Sequence, residues 1–183
     1  MENEFAPARL DIRAFAQSSG QLAGRDPLAS YTRITAECQG SVDSLVVVWS
    51  ARGETRAEQT PLEQIWLRLH ADVCVPLLCQ RCLDVVDTVL QVDRTFRFVA
   101  DEDTAAAQDD DSDEDLLVLD ANFNLHQLIE DELVLELPMI ARHASCPGAT
   151  GVAEPDFGVT VAGRPNPFAV LARFKPEAGR GTK

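Results

Sequence analysis

No stretch of the chain approaches the roughly 18 consecutive apolar residues that a membrane-spanning helix requires, so no spanning helix is expected. The opening residues, MENEFAPARLD, are acidic and lack the long apolar run of a secretory leader. Basic residues are scarce: 16 Lys plus Arg stand against 30 Asp plus Glu, a formal charge of −14. That balance argues against coating DNA or RNA by charge alone, because phosphate binding draws on clustered Lys and Arg. It argues equally against an anionic membrane surface as the main partner. Five cysteines, an odd number with no leader expected, do not read as a disulfide framework, and the expected setting is the cytoplasm with reduced thiols. Catalytic signatures are missing too. The chain has no G-x-S-x-G, no P-loop, no G-x-G-x-x-G and no H-E-x-x-H, and His70, His126 and His143 are too scattered to suggest a triad.

What is present is an ordinary globular composition. The 183 residues are 45 % apolar, enough for one domain with a sizeable core. Residues 1–20 read as a short helix stopped at Ser18-Ser19-Gly20. Residues 31–38 are β-compatible, and residues 45–49 form a short apolar run expected as a buried strand. Residues 65–77 alternate. Ile65, Leu67, Leu69, Ala71, Val73, Val75 and Leu77 share one face, and Pro76 marks an edge or the end of pairing. The alternation resumes with Leu90, Val92, Phe96 and Phe98, interrupted by Arg94, which places Cys79 and Cys82 at the tip of an antiparallel hairpin. Residues 101–115 carry nine acids and no base, and predict a mobile loop. Residues 116–119 return to strand. Asn124 and Gln127 then open a helix bearing Leu125, Leu128, Ile129 and Leu133, which Pro138 stops.

The strongest chemical feature is Cys79-x-x-Cys82. Two thiolates at a turn can hold one tetrahedral zinc ion, and a closed site needs two more ligands. His143 and Cys146 are the candidates, with Cys74 in reserve. The helix presents Glu132 and Glu136 at i and i+4, a like-charge pair that a nearby cation would relieve. Either a solvated face or a cation- or partner-docking face would account for them. His126 and Glu130 read as a surface ion pair. Near the C-terminus, RPNPFAVLARFK sets Phe168 and Phe174 beside Arg173 and Lys175. This segment is apolar enough to dock on the domain or on a partner, and basic enough for RNA phosphate or an acidic surface.

Three blocks in order resemble the YceD family of bacterial large ribosomal RNA subunit accumulation proteins. They are Cys79-Gln80-Arg81-Cys82-Leu83, the segment LIEDELVLELPMIARHASC at residues 128–146, and the terminal RPNPFAVLARFK. The resemblance implies a cytoplasmic ribosome-biogenesis factor supporting accumulation of 23S ribosomal RNA, with no catalytic residues to carry over. Some relatives carry further cysteines after the acidic helix, where this chain has Ala149-Thr150-Gly151, so His143 or water is left as the fourth ligand.

The expected fold is α+β: a mainly antiparallel sheet or partly open barrel with a helix packed on it after the acidic loop. The expected organisation is one domain over residues 1–148 and a flexible tail over 149–183. The expected function is non-enzymatic, with Cys79, Cys82, His143 and Cys146 holding one structural zinc. Arg81, Glu132, Glu136, Phe168, Arg173, Phe174 and Lys175 are the partner-contact candidates. The partner is a basic ribosomal protein or precursor ribosomal RNA. Direct RNA contact, if made, falls to the tail or to Arg81, Arg94 and Arg97 near the hairpin. The alternatives are a metal-dependent RNA-processing enzyme using Glu132 and Glu136, and a zinc-stabilised module with no ribosomal role.

Overall fold

Two long strands dominate the computed structural model, which describes residues 5–57 and 63–146. Strand β3 (Gln64–Leu78) and strand β4 (Val85–Val99) pair antiparallel along their whole length, from Ile65 opposite Phe98 to Leu78 opposite Val85. Strand β2 (Val46–Arg56) lies on the other side of β3, and β1 (Gln21–Pro27) forms the far edge. A short β5 (Asp115–Val118) adds to β4 in parallel. The result is an open five-stranded sheet in the order β1-β2-β3-β4-β5, antiparallel except at its last pair, and not a closed barrel. The α+β expectation holds.

The inner face carries the core. Trp49, Ala51, Leu67, Leu69, Ala71, Val73, Val75, Leu90, Val92 and Phe96 are buried there. Helices α1 (Ile12–Gln17), α2 (Thr32–Glu37) and α4 (Leu125–Leu135) supply Ile12, Phe15, Ile34, Leu125, Ile129 and Leu133 to the same cluster. Each fully buried aliphatic or aromatic side chain is worth roughly 1.5–3 kcal/mol. Helix α1 lies so close to β2 that a Cβ on Gly53 would stand 2.9 Å from the Ala16 Cα. The caps follow the sequence: Asp11 accepts from the Ala14 N–H, and Asn124 from the Gln127 N–H.

Several expectations change. Residues 31–38 contain α2, not a strand: Tyr31 is drawn into the core and its hydroxyl donates to Asp26, as does the Trp49 indole N–H. Residues 45–49 do belong to a strand, but one buried on a single face, with Val46 and Val48 facing outward. Pro76 lies beyond the last β2–β3 pair, where pairing has indeed ended on that side. The acidic segment, expected as a loop, carries a helix, α3 (Glu102–Gln108), and a 3-10 turn (Asp109–Asp111). Local physics outweighs the charge run. Asp101 caps the Thr104 N–H, acids sit in the first turn where the helix dipole favours them, and three alanines follow. Arg97 then ties the segment to β4 through Gln108 and Ser112.

Arg94, which breaks the apolar pattern of β4, faces inward opposite Leu69 and reaches α4. Its guanidinium lies 3.8 Å from Glu132 and 3.6 Å from Glu136. This is the cation that the i, i+4 acidic pair calls for. Glu132 is not solvated but buried, and burial raises its carboxyl above the ordinary range although Arg94 opposes the shift. A carboxylate raised in this way lowers stability increasingly as pH climbs from its ordinary value of 4.5 through its folded value.

Two outcomes are expected in urea denaturation. Arg94→Ala costs about 1–3 kcal/mol at pH 7, because a buried carboxylate loses its partner, and the cost shrinks as pH falls below Glu132's raised value. Adding Glu132→Gln to Arg94→Ala restores part of the loss at pH 7. A pH-independent cost would remove Glu132 from the account.

Candidate metal centre

The β3–β4 hairpin ends in the turn Cys79-Gln80-Arg81-Cys82. The Cys79 N–H donates to the Asp84 carbonyl, and the Leu83 N–H to the Cys79 carbonyl. Past α4, Pro138 turns the chain back toward this tip, and the Gln80 N–H donates to the Ala141 carbonyl at 2.9 Å. That bond delivers His143 and Cys146 to the cysteines. The ligand atoms of Cys79, Cys82, His143 and Cys146 lie within 4.8 Å of one another. Among the described residues, the sequence-predicted quartet is therefore one cluster. Cys74, the reserve, is exposed on the outer face of β3 and outside the cluster.

The spacing suits a tetrahedral ion. Zn–S bonds of about 2.3 Å imply sulfur–sulfur edges of about 3.8 Å. Cys79 Sγ lies 3.8 Å from Cys146 Sγ, and Cys82 Sγ lies 3.4 Å from His143 Nδ1. His143 Nε2 lies 3.1 Å from the Val85 carbonyl, which can only accept, so the proton sits on Nε2 and Nδ1 turns its lone pair inward. The donor set and the outer contact that fixes the histidine tautomer both fit a metal ion.

The thiols themselves are poised to lose protons unequally. Burial pushes Cys79 up, but the backbone N–H groups of Cys82, Arg81 and His143 pull it down to about 5. The Asp84 backbone pulls Cys82 down, yet burial and the sulfurs of Cys79 and Cys146 push it up to about 11. One thiolate forms readily and resists a second beside it. Only a cation or a retained proton relieves three sulfurs in so small a space.

The other candidates scatter. Arg81 is exposed at the hairpin tip. Glu132 and Glu136 are held by Arg94. Arg94 and Arg97 lie toward the end of β4 opposite the cysteines, opposite Leu69 and Trp66, and not near the turn. His126 does not pair with Glu130: its ring stacks on Tyr31 at 4.1 Å, while Glu130 and Asp131 bind Arg33. Sequence reasoning missed Arg33, whose partners lie 97 and 98 residues away. Phe168, Arg173, Phe174 and Lys175, with the expected tail, lie outside the described residues. No helix among the described residues is long and apolar enough to cross a membrane.

The fold and cluster together define an α+β protein: an open sheet with helices packed on one face, and a three-cysteine, one-histidine centre closing its longest hairpin. The family profile described as "Large ribosomal RNA subunit accumulation protein YceD" matches residues 67–175, which contain all four cluster residues. The chain belongs to this family. It is 34 % identical over 122 residues to the "Large ribosomal RNA subunit accumulation protein YceD" of Haemophilus influenzae, covering 63 % of this chain and 68 % of that protein. No solved structure matches the chain.

Serine substitutions separate the cluster from the reserve thiol. Cys74→Ser is expected to change stability by less than about 0.5 kcal/mol. Cys79→Ser, which leaves a hydroxyl in a buried site, is expected to cost about 1–3 kcal/mol in thermal or urea denaturation. Equal effects of the two would deny the cluster a structural role.

Proposed function

We propose that this chain is a non-enzymatic, cytoplasmic ribosome-biogenesis factor that supports accumulation of 23S ribosomal RNA. In this reading one structural zinc closes the Cys79, Cys82, His143 and Cys146 cluster. The observation that carries the reading is the coincidence of the family match, residues 67–175, with the segment that builds this cluster. The metal is a staple and not a reaction centre: three sulfurs and an imidazole fill its four positions and leave no open site for water or substrate.

Charge indicates how such a factor works. A −14 chain attracts cationic proteins over long range and meets repulsion at RNA phosphates. The favoured partner is a basic ribosomal protein, with the effect on RNA following from that contact. The arrangement also supports a non-enzymatic role. Glu132 and Glu136, the carboxylates a metal-dependent RNA-processing enzyme would use, are engaged by Arg94. A cleft of about 360 Å³ on the outer face is lined by Arg68 and His70, but Asp93 and Asp72 already bind these two.

Deleting the gene should lower mature 23S RNA and free large subunits and raise precursor, measured by RNA blotting and gradient profiles. Unchanged RNA and subunit profiles sink the reading. Purified protein incubated with labelled precursor RNA and divalent metal should leave the RNA intact, and cleavage that Glu132→Gln abolishes would make the chain an enzyme. Protein purified without chelator should carry about one equivalent of zinc, lost in Cys79→Ser. Less than about a tenth of an equivalent, with freely titrating thiols, removes the metal.

A further inference from the structure

The outer face of the sheet is polar toward one end and apolar toward the other. Residues opposite one another in an antiparallel pair share a face, so Asp72 and Gln91, Cys74 and Val89, Pro76 and Asp87, and Leu78 and Val85 all look outward. Val48, opposite Asp72, continues the row onto β2, with Val46 two residues along. Five of the eight exposed large apolar side chains among the described residues gather here: Val46, Val48, Val85 and Val89, with Leu83 at the hairpin tip. Scattered single exposures need no explanation, but a contiguous set does.

Leu83 is the least economical of them. Its φ is +64°, a left-handed backbone in which a leucine is strained and a glycine is not. Its side chain is 68 % exposed, so burial within the described fold returns little of that cost. Strain at an exposed apolar residue points to a use outside the fold. The tip that carries it is also held firmly, since the Leu83 N–H donates to Cys79 and His143 reaches the Val85 carbonyl. Carboxylates border the stripe and outnumber the cations beside it: Asp84 and Asp87 are exposed and Asp72 is half-buried, against Arg25, opposite Val48, and Arg81 at the tip.

We propose that this outer face of the β3–β4 hairpin docks a basic polypeptide segment bearing apolar side chains, with Leu83 as the anchor. The proposal rests on the reading of the chain as a factor that holds a basic ribosomal protein, and it supplies the surface. Charge complementarity selects this occupant. The bordering carboxylates repel RNA phosphates, and aliphatic side chains offer bases no aromatic platform. A second copy of the chain would set the same acids against these.

The test titrates purified large-subunit ribosomal proteins, one at a time, into the full chain labelled at its N-terminus and followed by fluorescence anisotropy. At least one basic protein is expected to bind. Leu83→Gly should weaken that complex at least tenfold while zinc content stays the same and the melting temperature holds or rises, because glycine relaxes the left-handed position. Val89→Ser combined with Asp87→Lys should weaken it likewise, and Arg52→Ala, at the polar end of the same face, should not. Binding of no ribosomal protein, or Leu83→Gly binding as tightly as the parent, overturns the proposal. So does self-association in sedimentation that Leu83→Gly abolishes, which assigns the stripe to a second copy. A peptide of residues 164–175 that binds more tightly than any of the proteins overturns it in favour of the chain's own C-terminal segment. A response confined to ribosomal RNA overturns it too. If Leu83→Gly restores normal 23S RNA in a deletion strain, only the surface is wrong. If the deletion itself leaves 23S RNA unchanged, the function reading fails first.

Discussion

Three sulfurs and an imidazole nitrogen converge within 4.8 Å at the end of the longest hairpin, and the rest of the molecule is arranged around meeting that demand. Two of the donors sit on a turn closing two strands of fifteen residues each, and the other two follow the last helix. Bringing them together folds the chain after α4 back across the strand ends. It also sets the attitude of the tip that carries Arg81 and Leu83. Crowded thiols cannot all ionise unaided, so the corner is chemically suited to a soft cation, and the Val85 carbonyl orients the imidazole toward the sulfurs.

Charge is handled differently on the two sides of the sheet. On the inner side, Arg94 reaches from β4 to the Glu132–Glu136 pair, so helix and sheet are joined electrostatically as well as by packing. On the outer side, ion pairs such as Arg68 with Asp93 and His70 with Asp72 lie in solvent and contribute little each. These pairs offset each other's charge, while Asp84 and Asp87, exposed near the hairpin tip, enter no ion pair among the described residues. A strongly anionic protein can in this way confine a recognition surface to one end of one face.

Periodicity made the two long strands, their turn and helix α4 legible, because each is amphipathic over many residues and ends at a recognisable cap or proline. The short elements were not. Residues 31–38 look β-compatible through Tyr31, Thr32 and Ile34, yet a hydrogen bond from Tyr31 to Asp26 and the packing of Ile34 hold a helix there. The acidic segment shows how a nearest-neighbour effect, a capped and alanine-rich helix, can outweigh a composition argument. His126 and Glu130 have the spacing of a helical pair, but each finds a better partner from α2 or its cap, which no local pattern reveals.

The sequence by itself determined the donor chemistry: which residues are soft ligands, that two of them share a turn, and that a histidine and a cysteine follow a helix stop. It also settled the sign of the charge and the family. Only the tertiary structure decided that these four side chains meet, that Arg94 neutralises the acidic pair, and that Leu83 stands exposed in a left-handed backbone. The physical reason is common to all three. Residue type and spacing specify what a side chain can do, whereas proximity between residues some sixty positions apart depends on strand register and on the path of the chain between elements.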